Sequence, residues 1–253
     1  MAPRRQARSP NTASPATKVR LITGSARGLG LAAARRFAER GDRVHVVYRS
    51  SARSLDELER EFPGRVHHAD LERAGDWRTL IDAVIEGDGK LDTFVHAVGE
   101  YVYGPASAAS ASDLRRMLCS NVESAFLGME AVRPHLRASR GVAVYFGCAG
   151  LEGLRARSTT AAYTAAKSAL VVLARSWAVE EAAHGVRINV LSPGFAPHEH
   201  ASPDTLDRAA WSSIPLGRPA APREIVDALE WLCSDTASYV TGVNLDVAGG
   251  WMS

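Results

Sequence analysis

Thr23-Gly24-Ser25-Ala26-Arg27-Gly28-Leu29-Gly30 stands between a short apolar run, Val19-Arg20-Leu21-Ile22, and a segment of helical composition from Leu31 to Arg40 that stops at Gly41. Strand, Gly-rich turn and helix, in that order, lay backbone N–H groups and a helix N-terminus against a phosphate. Gly24 can take a positive φ for a tight turn, Gly28 lets the backbone approach a pyrophosphate, and Gly30 permits close helix–strand contact. The spacing is Gly-x-x-x-Gly-x-Gly rather than G-x-G-x-x-G. A glycine triplet alone also fits a surface loop; its place between strand and helix is what favours a nucleotide site.

Outward from this turn the chain alternates. Arg43 to Tyr48, Val66 to Ala69, Leu91 to Ala97, Gly141 to Phe146, Val186 to Leu191 and Gly242 to Val247 read as strands. Ser54 to Phe62, Trp77 to Glu86, Ser112 to Leu136, Ala161 to Ala183 and Arg223 to Ser234 read as helices between them, with Ser112 the expected N-cap of its helix. Strands alternating with helices imply βαβ units and a parallel sheet covered on both faces. The expected fold is a single α/β domain, a doubly wound Rossmann sheet of seven parallel strands spanning 18–253. Residues 1–17, rich in Arg, Pro, Ser and Ala, read as a disordered leader, and the Pro-rich 195–222 as an irregular substrate-loop insertion.

Composition narrows the function classes. With 46% hydrophobic and 23% charged residues the chain is ordinary for a globular protein. A net charge of +2 gives no reason to expect nucleic acid or an acidic membrane as partner. No apolar run approaches the ~18 residues of a membrane span. Cys119, Cys148 and Cys233 form no metal-ligand pattern, which favours a reduced, cytoplasmic chain. His198-Glu199-His200 lacks further ligands and reads as loop polarity, so no metal is expected.

These motifs together resemble the short-chain dehydrogenase/reductase family over roughly residues 18 to 251. Thr23-Gly24-x-x-x-Gly28-x-Gly30 is similar to that family's cofactor turn, Asp70-Leu71 to its adenine-contacting step, and Asn121 to its helix asparagine. Tyr163-x-x-x-Lys167 is similar to its catalytic pair, Pro193-Gly194 to its nicotinamide-side turn, and the stretch from Tyr239 to Trp251 to its last strand and turn. The resemblance implies a nicotinamide cofactor whose site draws on Gly24, Ser25, Arg27, Gly28, Leu29, Gly30, Asp70, Leu71, Ala97, Gly99, Tyr163, Lys167, Pro193 and Gly194. It implies that Tyr163 donates a proton to the substrate oxygen, that Lys167 lowers the phenol's pKa and holds the nicotinamide ribose, and that Asn121 holds a relay water. It also implies a homotetramer or homodimer. Spacing is compatible with the Tyr–Lys pair: residues four apart on a helix share a face, and a nearby ammonium favours a phenolate.

Two positions depart from the family. Its serine after the fifth strand is absent from Gly147-Cys148-Ala149-Gly150: aligned from the strand, Cys148 takes that place; aligned from Gly150-x-x-Gly153, Gly147 does. Neither offers a hydroxyl, and a thiol is a weak donor. Tyr145 and Ser158-Thr159-Thr160 are candidate substitutes; a C=N substrate would need no such donor, and a catalytically weak nucleotide-binding scaffold is the remaining alternative. His96 stands where the family has Asn, and reads as a structural tie between strands.

Cofactor choice is argued electrostatically. The second strand ends Tyr48-Arg49-Ser50-Ser51 with no acid to bind a ribose 2′-hydroxyl, whereas Arg49, Ser50 and Arg27 suit a 2′-phosphate, so NADPH/NADP+ is expected. Tyr101, Tyr103, Phe195 and Trp211 are expected to line the pocket of a small, ring-bearing or flat substrate.

Overall fold

The computed structural model describes residues 17–50, 55–153, 155–197 and 211–251. Its strands are β1 (Val19–Thr23), β2 (Arg43–Tyr48), β3 (Val66–His68), β4 (Thr93–His96), β5 (Val142–Phe146), β6 (Arg187–Pro193) and β7 (Asn244–Val247). The helices are α1 (Gly28–Glu39), α2 (Leu55–Glu61), α3 (Ala74–Asp88), α4 (Ala111–Leu118), α5 (Ser124–Ser139), α6 (Ala161–Glu181) and α7 (Pro222–Leu232). The strands form one seven-stranded sheet in the order β3-β2-β1-β4-β5-β6-β7. Every pairing is parallel. The domain expected from alternation is the one observed.

Period-two alternation within buried strands explains the near-continuous apolar runs. Leu21, Phe94, Ala143, Tyr145, Ile188 and Val190 face a core shared with α3, α5 and α6. Ile22, Val95, Val144, Phe146 and Leu191 face the other, shared with α1, α2 and α7. A sheet covered on both sides has no polar face to write into its sequence. Strand order reverses between β1 and β4, and the loops leaving the carboxyl ends there open a crevice.

Two helix starts differ from expectation. α4 is capped by Ser110, not Ser112: Ser110 Oγ accepts the Asp113 N–H at 3.1 Å and Asp113 Oδ2 accepts the Ser110 N–H at 3.0 Å. That reciprocal box satisfies two N–H groups at once, which Ser112, two residues later and already inside the first turn, could not do. α7 starts at Pro222, whose missing N–H costs nothing at a helix's first residue, and Glu224 Oε2 accepts the Ala221 N–H at 2.8 Å. Pro134 lies inside α5, which continues to Ser139. Between α4 and α5 the helix widens into a π-turn, Cys119–Glu123.

At the outer edge of the sheet a polar chain is packed under α3. His45 Nδ1 lies 2.9 Å from His67 Nε2, and His45 Nε2 lies 3.0 Å from Asp88 Oδ2. Arg65 also bonds Asp88 at 2.9 Å and, with His45, holds its carboxyl at a pKa of about 2. Burial lowers His45 and takes His67 down to about 4.

Residues 1–16 and His198-Glu199-His200 lie outside the described residues, and of the 195–222 insertion only 195–197 and 211–222 lie within them.

Candidate active site

The glycine turn is built by contact, not by composition alone. Gly24 has φ +68°, and a Cβ there would stand 2.5 Å from the Ala97 carbonyl oxygen at the end of β4. A Cβ at Gly30 would run into the Gly24 carbonyl. Gly28 differs: at φ +57° it opens on empty space at the first residue of α1. Gly24 and Gly30 therefore hold the turn against the sheet and itself, while Gly28 leaves the approach to the helix N-terminus clear. That is the shape a pyrophosphate requires. Ser25 has another task. Its buried hydroxyl donates to the Ile22 carbonyl at 2.6 Å and accepts the Val47 N–H at 2.8 Å, tying the turn to β2. Its side chain does not face the crevice; only its backbone remains for a ligand.

Asp70 and Leu71 follow β3. Asp70 Oδ1 accepts the Glu72 N–H at 3.3 Å, and the Leu71 side chain is buried in the core. Arg49, at the end of β2, lies beside acids: Nη1 is 3.3 Å from Glu72 and 3.9 Å from Asp70, and Nη2 is 3.3 Å from Glu100. Ser50 beside it is exposed.

Tyr163, Lys167, Asn121 and Cys148 converge at the C-terminal edge of β4 and β5. Lys167 is buried on α6; its Nζ donates to the Phe146 carbonyl at 2.6 Å and lies 5.8 Å from the Tyr163 ring centre. Asn121 sits in the π-turn with its Nδ2 donating to the carbonyls of Glu100 at 3.0 Å and Met117 at 3.1 Å. Its Oδ1 is buried and accepts no hydrogen bond among the described residues. A Cβ at Gly99 would collide with that Oδ1 and stand 3.2 Å from Lys167 Nζ, so amide oxygen and ammonium meet over the same bare glycine. π-turns recur at functional sites because they re-aim one side chain out of the helical pattern.

The two alignments of the missing serine are decided by packing. A Cβ at Gly147 would strike Ser192 Oγ and stand 2.8 Å from Val190, inside β6. Position 147 faces the sheet, and Cys148 is the residue electrostatically coupled to Tyr163, Lys167 and Tyr101. Tyr145 does not substitute for the absent hydroxyl. It is wholly buried between Phe94, His96 and Trp177, on the sheet's interior face. The 158–160 run pairs through its backbone with Gly104 and Ala106, and Thr160 Oγ1 bonds Thr164 Oγ1 at 3.2 Å. His96 is the structural tie expected: Nδ1 lies 2.9 Å from Thr23 Oγ1 and Nε2 3.2 Å from Ser124 Oγ, with burial pushing its pKa down to about 3.

The charges of the pair go opposite to the simple spacing argument. Burial, then Cys148 and Tyr101, push the Tyr163 phenol above its ordinary value. Burial brings Lys167 down to about 8, opposed by Cys148, whose thiol burial raises to about 11. In the chain by itself desolvation outweighs the ammonium, which is engaged at Phe146.

Tyr101 stacks edge-on against Tyr163 with ring centres 4.9 Å apart, and Tyr103 is 68% exposed nearby. Phe195 packs on Trp251 instead, at 5.9 Å, and the buried Trp211 Nε1 has no hydrogen-bond partner among the described residues. The sequence reading passed over Arg157, whose Nη2 donates to the carbonyls of Ala149 at 3.0 Å and Gly150 at 2.8 Å. It also passed over Asp246, which accepts the Gly150 N–H at 2.8 Å. Both brace the loop that carries Cys148; Arg157 stands in no recognisable motif, and Asp246 falls within the Tyr239 to Trp251 stretch with nothing in its spacing to single it out. A cleft of about 300 Å³ opens beyond that loop, lined by Gly150, Arg157 and Thr164, on the α6 face next to the one bearing Tyr163.

Among the described residues no cluster of His, Cys, Asp or Glu could hold a metal ion, and no helix is long and apolar enough to cross a membrane. A family profile described as enoyl-(acyl carrier protein) reductase matches residues 24–252. The 2,5-dichloro-2,5-cyclohexadiene-1,4-diol dehydrogenase of Sphingobium indicum is 33% identical, over 93% of this chain and 96% of that one. The L-fucose dehydrogenase of Bos taurus is 34% identical, over 93% and 89%. A dehydrogenase/reductase structure from Sinorhizobium meliloti superposes with a TM-score of 0.84 at 25% identity, covering 93% of this chain and 95% of the other.

Proposed function

The chain belongs to the short-chain dehydrogenase/reductase family, a nicotinamide-dependent oxidoreductase acting between alcohol and carbonyl, and from that premise we propose that it is an NADPH-dependent ketone reductase with Tyr163 as proton donor. The observation that carries this reading is a half-buried phenol beside a buried ammonium, with the phenol held in its protonated form, at the sheet edge where the glycine turn lies. When bound, the cofactor supplies a hydride. Gly24, Gly28, Leu29, Gly30 and the backbone of Ser25 would hold its pyrophosphate; Ala97, Gly99 and Lys167 its nicotinamide ribose; Asp70 and Leu71 its adenine; Pro193 and Gly194 its nicotinamide; Arg27, Arg49 and Ser50 a 2′-phosphate.

Tyr163 Oη keeps its proton at neutral pH and gives it to the substrate oxygen as negative charge develops there. Lys167, poised near 8, returns a proton toward the phenol, and the unpaired Asn121 Oδ1 over Gly99 gives that path a relay point. Tyr101 and Tyr103 face a ring-bearing substrate, in keeping with the cyclohexadiene diol named for the Sphingobium relative. Cys148 favours one second reading: a cyclic C=N substrate, where an iminium leaves no oxyanion to stabilise.

Exposed Leu118, Phe126, Val172 and Val179 on α4, α5 and α6 support a homotetramer or homodimer, and three unpaired cysteines support a cytoplasmic setting. NADPH oxidation with ketones and cyclic imines tests the chemistry. Tyr163→Phe should lose about 10²–10⁴ in kcat with the NADPH Kd unchanged; a variant at full rate would remove Tyr163 from its role. A kcat/KM ratio favouring NADH would overturn the cofactor assignment.

A further inference from the structure

The side chain that would bind the 2′-phosphate is already engaged. Arg49 Nη1 is 3.3 Å from Glu72 Oε1 and 3.9 Å from Asp70 Oδ1, and Nη2 is 3.3 Å from Glu100 Oε1. Three carboxylates from the rims of β3 and β4 thus surround one guanidinium. They are not equally placed. Glu100 is fixed by its backbone to the π-turn, its N–H donating to Ser120 Oγ at 3.2 Å and its carbonyl accepting Asn121 Nδ2 at 3.0 Å. Its second oxygen, Oε2, is 3.0 Å from Arg116 Nε, and Arg116 is anchored in turn to Asp113 at 2.9 Å. Glu100 therefore stays where it is, neutralised by Arg116, when Arg49 turns to another partner. Arg49 is the movable member: its side chain is 51% exposed, and exposed pairs of this length exchange readily.

We propose that Glu72 and Glu100 set how strongly this chain discriminates between the phosphorylated and unphosphorylated dinucleotide, by competing with the ribose 2′-phosphate for Arg49. The inference rests on the NADPH reading above but concerns the acids, not the arginine. A phosphate dianion arriving at Arg49 must displace or share two carboxylates and then lie near all three. An unphosphorylated ribose meets no such cost. The acids hold the guanidinium in place before a ligand arrives and at the same time lower the gain from a 2′-phosphate. The outcome is a preference for NADPH smaller than an unaccompanied arginine would give, and one that changes with ionic strength.

Calorimetric binding of NADPH, NADH, 2′-AMP and 5′-AMP to the full chain tests this without turnover. E100Q should tighten NADPH and 2′-AMP about 3-fold, and E72Q/E100Q about 10-fold, as expected for exposed ion pairs converted to binding ratios. NADH and 5′-AMP should be unmoved, and adding R49A should erase the gain. Unchanged or weaker 2′-AMP binding in both variants would overturn the proposal; so would an equal change for all four ligands, which would mark a merely structural effect. If the unaltered chain binds NADH more tightly than NADPH while E100Q still strengthens 2′-AMP, the NADPH reading falls and the role of the acids stands.

Discussion

Cys148 differs from the family's serine by one atom, sulfur for oxygen, and the difference is chemical rather than geometric. Its thiol faces Tyr163 and Lys167 as a hydroxyl would, yet it donates a hydrogen bond weakly and burial holds it un-ionised, with a pKa of about 11. Cys148→Ser should therefore raise kcat on ketones at least ~10-fold, since an oxyanion donor is worth about 10²–10³ elsewhere. It should leave cyclic-imine turnover within a factor of about two, because that chemistry develops no oxyanion. Parallel steady-state assays on both substrate classes decide it, and a variant slower on ketones would show the thiol to be adapted to its task. The position was only half legible in the sequence. Two alignments were open, and what closed them was Ser192 and Val190 from β6, which fill the space a side chain at Gly147 would need.

Among the elements, the glycine turn was legible in part: the positive φ of Gly24 follows from its place between strand and helix, whereas Gly30 meets the Gly24 carbonyl within the turn rather than a strand, and Gly24 meets Ala97 at the end of β4. Gly30→Ala puts a methyl group against the Gly24 carbonyl, backbone against backbone, where neither side can give. The expected cost is about 1–3 kcal/mol of stability with dinucleotide binding weakened in step. Gly28→Ala meets no neighbour, so its loss is confined to the strain of holding a Cβ at φ +57°, about 1–2 kcal/mol, while the methyl group obstructs the ligand's approach. Denaturant midpoints and NADPH titrations on the two variants would separate the roles; NADPH binding left intact by Gly28→Ala would refute the division. Strand positions were legible because buried parallel strands are largely apolar, and β1, β5 and β6 stop at Gly24, Gly147 and Pro193. The α4 cap was misjudged although Ser110-x-x-Asp113 carried the signal, since several serines compete there and only the reciprocal bond picks one. The acids around Arg49 were not legible at all. Glu72 and Glu100 lie 23 and 51 residues away and meet the guanidinium only because β3 and β4 end at the same rim.

At the scale of the whole molecule, the buried imidazoles govern stability in acid. His67 and His96 have folded pKa values of about 4 and about 3, below the ordinary 6.5, and His45 is lowered as well. The unfolded chain therefore takes up more protons below pH ~6.5, and stability should fall as pH drops from there toward ~4. Below that, Asp88, at about 2, gives up its share as it protonates. His67→Gln should flatten part of the upper slope, by about 1–2 kcal/mol after allowing for its partial exposure, and leave the part due to His96. Unfolding free energies measured from pH 7 to 4 would show it; an unchanged slope would mean that His67 is already protonated in the native chain. Parallel topology has one more consequence. Because each crossover returns the chain to the same starting rim, the turns at Gly41, Gly64, Gly89 and Gly185 lie at the end of the barrel-less layer opposite Tyr163. A fluorescent or affinity module spliced between Gly89 and Lys90 would hang from the blind side of the enzyme, and turnover should be insensitive to its presence.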